Sequence, residues 1–150
     1  MRLPKGSMRL RLEMPNDCDN HVMLYADKAT IQAIADSAGR LFDLVKATEL
    51  PEGTRVYNFR LHAAGQGAIR FSIDSAWAPP DDLFAALVDE YPIVFMKNEW
   101  YVEDGPAGVW VATKEEGAEQ PVIQTLGWDE GCIEEKVHRF REVKEREEKN

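Results

Sequence analysis

Residues 68–103 read AIRFSIDSAWAPPDDLFAALVDEYPIVFMKNEWYVE, and the changes of period within them decide the fold. In 68–77, Ile69, Phe71 and Ile73 alternate with Arg70, Ser72 and Asp74, the period of two of a strand with one buried and one wet face. Pro79-Pro80 then opens a helix. Asp81 and Asp82 sit in its first turn, where negative charge suits the helix dipole, and Leu83, Phe84, Leu87, Val88 and Tyr91 form its apolar side until Pro92 stops it. Alternation returns over 93–103. Val94, Met96, Asn98, Trp100 and Val102 make the natural core face, leaving Ile93, Phe95, Lys97, Glu99, Tyr101 and Glu103 on the other.

Upstream, residues 20–26 read as a short buried strand, and Asp27 as the N-cap of a helix with Ile31, Ile34, Ala35, Ala38, Leu41, Phe42 and Val45 in one stripe. Gly39 inside that stripe costs about 1 kcal/mol relative to alanine and marks a kink or break. A turn over 50–53 leads to a strand over 55–62, joined to 68–77 by Gly65-Gln66-Gly67. Downstream, Asp104-Gly105-Pro106 turns the chain into a strand over 108–113, an acidic loop spans 114–120, and 121–126 suits a short edge strand. From Asp129 the chain reads as a charged helix with a narrow seam of Ile133, Val137 and Phe140. This order predicts an α+β fold: a ferredoxin-like antiparallel sheet with two helices on one face, plus an additional strand and a C-terminal helix. The expected organisation is a basic N-terminal extension over 1–14, the ferredoxin-like domain over 15–127 and the charged helix over 128–150.

With 150 residues, 44% of them apolar, the chain closes one core and buries roughly 70% of its extended-chain surface. It contains no apolar run of about 18 residues, so no membrane partner is expected. The first eight residues are basic without an apolar stretch, unlike a secretory signal, and a cytoplasmic location is expected. Cys18 and Cys132 are then most simply thiols.

The charge is unevenly placed. Over 74–119 eleven acids face only Lys97 and Lys114, which equals the entire formal net charge of −9. Gathered on one surface, such a field repels nucleic acid and attracts a basic partner.

Three short motifs carry a family resemblance. Pro15-Asn16-Asp17-Cys18-Asp19-Asn20 resembles the "PNWCxN" opening of the YubB-like ferredoxin-like domain family of plasmids, phages and other mobile elements. Ser75-Ala76-Trp77-Ala78-Pro79-Pro80 resembles its "TAWSPP" stretch, and Tyr91-Pro92 with residues 101–108 its "YP" and "Y-x-E-x-G-x-x-AG" segments. The likeness covers roughly residues 14–117. The family's "WGTKWD" stretch has no counterpart, Val56-Tyr57-Asn58-Phe59-Arg60-Leu61-His62 standing in its place. The resemblance implies a ferredoxin-like fold and a mobile-element setting, without a known catalytic activity.

Chemistry finds little purchase. No two of His21, His62 and His138 share a close spacing with a carboxylate, two cysteines cannot supply four thiolates, and no glycine-rich phosphate loop occurs, so no metal or cofactor is expected. Cys18 near His21 or His62 is the sole thiol–imidazole pair worth testing, and a small buried residue is its blander reading. Strand aromatics such as Tyr57, Phe95, Trp100 and Trp110 invite an RNA-binding reading, but the surrounding acids oppose phosphate, and no direct nucleic-acid contact is expected.

The expectation is therefore a small acidic non-enzymatic protein of a mobile element that binds the basic surface of a host nucleic-acid-handling protein. In its narrowest form it is a DNA-mimicking inhibitor of a CRISPR or restriction system. The expected contact residues are Asp81, Asp82, Asp89, Glu90, Phe95, Glu99, Tyr101, Glu103 and Asp104, with the exposed aromatics as hot spots among carboxylates. The alternative is a structural module that self-associates, as a homodimer, through the sheet face or the C-terminal helix.

Overall fold

A computed structural model describes residues 16–46, 50 and 54–128. The N-terminal extension, residues 51–53, Cys132 and the helix with Ile133, Val137 and Phe140 lie outside the described residues.

The chain runs β1 (Asp17–Ala26), α1 (Lys28–Ser37), a 3-10 turn (Leu41–Leu44), β2 (Val56–Ala64), β3 (Ala68–Ala76), α2 (Asp81–Glu90), β4 (Ile93–Val102), β5 (Ala107–Thr113) and β6 (Val122–Trp128). The fold is α+β. Its one sheet has six strands in the order β2-β3-β1-β4-β5-β6, and every neighbouring pair is antiparallel. The expected fold had one strand beyond the four of a ferredoxin-like sheet and the observed sheet has two, because β6, read as a short edge strand over 121–126, pairs along all of β5, from Thr113↔Val122 to Ala107↔Trp128.

Register fixes the two faces. Val22 and Leu24 of β1 oppose Phe71 and Ile69 of β3 on one side and Asn98 and Met96 of β4 on the other. These residues, with Trp110 and Ala112 of β5, form the covered face, onto which Ile31 and Ile34 of α1 and Leu83, Phe84, Leu87 and Val88 of α2 pack. Each fully buried valine, leucine, isoleucine, phenylalanine or methionine among them contributes about 1.5–3 kcal/mol by leaving water. Phe71 and Trp110 meet Phe59 and Phe84 with ring centroids 5.3 and 6.1 Å apart.

Asp27 caps α1 as expected, its Oδ1 accepting from the Thr30 amide at 3.1 Å. The helix stops at Ser37 instead of continuing through Val45. Ala38 and Gly39 turn to φ 51° and 91°, and a Cβ on Gly39 would lie 2.5 Å from that of Phe59, so glycine is needed there on both counts. α2 is held at its end by Tyr91, whose hydroxyl donates to the Leu44 carbonyl at 2.6 Å, and by Lys114, whose ammonium donates to the terminal Val88 carbonyl at 3.1 Å.

One facing expectation is inverted. A bulge between Tyr25 and Ala26 shifts the β1–β4 register so that Ile93 is buried and Val94 is 51% exposed; from Phe95 onward the faces are as expected.

Candidate functional site on the open sheet face

The face away from the helices carries a polar grid whose rows follow the strand register. One row runs Tyr57, Asp74, Asp19, Tyr101 across β2, β3, β1 and β4. The next runs Arg60, Ser72, His21, Glu99, Val109 and Leu126. A third places Arg70, Met23, Lys97 and Val111 side by side, and a fourth Tyr25, Phe95 and Thr113.

The first row is tightly bound. Asn58, at φ 55° in a bulge of β2, donates to Asp74 Oδ2 at 2.9 Å, and the Arg60 guanidinium reaches Asp74 Oδ1 at 3.2 Å. Burial pushes the Asp74 carboxyl up, but the bonds with Asn58, Asp19 and Arg60 and the Arg60 charge outweigh it and hold the group below the usual carboxylate range. Asp74 therefore sits only 5% exposed inside the grid, its charge paired with that of Arg60. The Tyr57 hydroxyl donates to Asp17, while Tyr101 bonds Asp19, which raises its phenol above the ordinary value.

In the second row the buried Ser72 hydroxyl lies between two imidazoles, 2.6 Å from His62 Nε2 and 3.1 Å from His21 Nδ1. The two histidines are 41 positions apart in sequence, and only the order β2-β3-β1 brings them to one serine. An open groove of about 420 Å³ lies here, lined by His21, Met23, His62, Arg70, Ser72, Lys97 and Glu99. Lys97 pairs with Glu99 at 3.2 Å.

The expected contact residues divide between regions. Phe95, Glu99 and Tyr101 share the open face, with Glu103 and Asp104 at the end of the same strand. Asp81 and Asp82 begin α2 and Asp89 and Glu90 end it, on the other side of the sheet; Glu90 accepts from the Lys46 amide at 2.7 Å. The open face itself is close to balanced, with Arg60, Arg70 and Lys97 facing Asp17, Asp19, Asp74 and Glu99. Its apolar members are exposed: Tyr25 and Phe95 meet at 5.5 Å, Tyr25 is 43% and Tyr101 47% exposed, and Leu126 of β6 adds to the surface.

The covered face hides a second polar cluster where the short sequence motifs converge. Asn20 Nδ2 donates to the Cys18 and Ile73 carbonyls at 3.1 and 3.0 Å and to Ser75 Oγ at 2.9 Å. Ser75 in turn donates to the Ala78 carbonyl, and the Trp77 amide to the Asn16 carbonyl. Asn98 Nδ2 donates to Asn20 Oδ1 at 2.9 Å, while Asn98 Oδ1 has no partner among the described residues. Cys18 is fully buried here. Burial, opposed by a bond with Ser75 and assisted by the charges of Asp19, Asp81 and Asp74, pushes its thiol up to about 12, so it is no ready nucleophile.

Sequence reasoning missed His62, Ser72, His21 and Arg70 as a set, since nothing but the strand order joins them. It also left aside Trp77, which holds φ 71° and is 53% exposed at the end of β3. Among the described residues no group of three histidines, cysteines or acids is placed to hold a metal ion, and no helix is long and apolar enough to cross a membrane. Comparison with protein-family models, curated proteins and solved structures gives no match to this chain.

Proposed function

We propose that this is a non-enzymatic protein that docks a partner protein on the open face of its sheet. The observation that carries the reading is a sheet face that neither described helix covers, where Tyr25, Phe95 and Tyr101 stand exposed or half-buried beside the Lys97–Glu99 pair. Aromatic side chains rimmed by charge are the composition from which interface hot spots are built. The raised Cys18 thiol speaks against that residue as a nucleophile.

A ferredoxin-like arrangement with two further strands is supported by the segment β4-β1-β3-β2, in which α1 links β1 to β2 and α2 links β3 to β4. With the three sequence motifs this favours a YubB-like, mobile-element protein whose partner handles host nucleic acid. Mimicry of DNA draws its support from Glu99, Glu103 and Asp104, and none from Asp81, Asp82, Asp89 and Glu90, which the sheet separates from them. Self-association is the second reading, favoured by the edge strand β6, whose Val122, Ile123 and Leu126 are all exposed.

The test is a pull-down from bacterial lysate with the protein and its Tyr101→Ala and Tyr25→Ala variants, alongside Asp82→Asn with Glu90→Gln on the helix layer. Loss of one defined partner with the open-face variants alone supports the reading. A partner lost only with the helix-layer variants refutes it, and a clean lysate with a sedimenting dimer puts self-association in its place.

A further inference from the structure

We propose that the groove over β2, β3, β1 and β4 binds the phosphate group of a small phosphomonoester, held by Arg70, Lys97 and the imidazoles of His21 and His62. The site needs no second macromolecule and so stands apart from partner docking. Its volume of about 420 Å³ suits a small molecule, and its wall gathers two permanent cations and two imidazoles in a chain whose formal net charge is −9.

Arg70 is the anchor. Arg60 is taken by Asp74 and Lys97 by Glu99, but Arg70 has no acidic partner among the described residues. A guanidinium offers five donors in a planar fork that matches a phosphate or carboxylate edge. Left unpaired where acids outnumber bases, it is the group that an incoming oxyanion completes.

Ser72 ties the imidazoles together in a way that suits a dianion. Its hydroxyl has one proton, so with both rings neutral it donates to one of His62 Nε2 and His21 Nδ1 and accepts from the other. Of the two remaining ring nitrogens, one is then a donor and one an acceptor. A single added proton makes both of them donors while Ser72 keeps both bonds. A phosphate group suits that state, since its oxygens accept from both ring nitrogens. The charged groups around the rings are Asp19 on β1, Arg60 on β2, Arg70 and Asp74 on β3, and Lys97 and Glu99 on β4; Arg60 and Asp74 neutralise each other. Glu99 is the opposing charge in the wall, and it gives the site a test of opposite sign.

The test is an amide-shift NMR titration of the full chain with inorganic phosphate, against sodium chloride at equal ionic strength and against acetate. Saturable one-to-one shifts at His21, His62, Arg70, Ser72 and Lys97 are expected, weakened at least about tenfold in Arg70→Gln and tightened in Glu99→Gln. Both side chains are exposed, so the variants retain the fold, checked by circular dichroism. Shifts that chloride reproduces, equal affinity in Arg70→Gln, or acetate binding tighter than phosphate would each overturn the assignment.

Discussion

Asn20 and Asn98 are neighbours on β1 and β4, both 0% exposed and bonded to each other, yet replacing them by leucine should have very unequal consequences. Asn20 is the hub. Asn20→Leu leaves the Asn98 amide without an acceptor and removes the donor shared by the Cys18 and Ile73 carbonyls and Ser75. One stranded buried amide costs about 1–3 kcal/mol and each of the three other lost bonds about 1 kcal/mol, so the sum is about 4–6 kcal/mol. Asn98→Leu forfeits one bond of about 1 kcal/mol and leaves Asn20 Oδ1 with the weak Cys18 thiol donor 3.8 Å away, but it also removes the Oδ1 that is already buried without a partner, and it adds apolar surface beside Val22 and Trp110. Its net effect should stay within about 1 kcal/mol of the wild type. Urea denaturation followed by circular dichroism gives both values. Equal destabilisation of the two variants, or a larger loss for Asn98→Leu, would refute the assignment of Asn20 as the hub.

Three further outcomes follow from the packing and the charges. In Gly108→Ala the new Cβ would lie 2.5 Å from the Leu126 carbonyl oxygen and 2.8 Å from the Trp100 ring, so β6 should be driven off β5 at a cost of about 1–3 kcal/mol; hydrogen exchange should accelerate over residues 122–127 before the rest of the sheet. Cys18 should resist a thiol-specific reagent at pH 8 in the native protein and react fully in denaturant, the comparison being made in a Cys132→Ser background. Burial, with a smaller contribution from the Asp82 charge, pushes the Asp81 carboxyl up to about 6 from 3.8, so the native state holds this proton more tightly and the group weakens the fold as pH rises between those values. Asp81→Asn should therefore stabilise at pH 7 by about 1 kcal/mol, after allowance for solvent screening, and flatten the stability profile from about pH 4 to 6; an unchanged profile would contradict this.

Local rules read locally written features well. The Asp27 cap, the buried Leu83, Phe84, Leu87 and Val88 of α2, and the alternation of Met96, Asn98, Trp100 and Val102 all follow from spacing that one element carries within itself. Features that depend on a neighbour were hidden. Ile93 and Val94 exchanged faces because Val94 is the extra residue of a bulge in β4 where it pairs with Tyr25 and Ala26 of β1, and the pairing that turns 122–128 into a full strand is set by β5. The distribution of charge was the least legible. Asp74 looked like one more surface acid until Asn58 and Arg60 closed over it, and the acids of 74–119 alternate between sheet face, helix ends and turns, which a linear count adds together. The His21–Ser72–His62 set was invisible for the same reason, since its members meet only through hydrogen-bonded strands.

The central place of β1 governs how the chain can be made. It leaves the ribosome before every other strand described, yet its partners are β3 and β4, so Cys18 waits first for Ser75 and then for Val102. Until then β1 presents an open edge with Val22 and Leu24 uncovered, and the Asn20 hub lacks its Asn98 donor. Sheets assembled from such distant segments fold in about milliseconds to seconds, later than local helices. A nascent or truncated chain that ends before Val102 should thus be a substrate for chaperones and proteases, and the native sheet should arise in one late, cooperative event once β4 closes against the first strand.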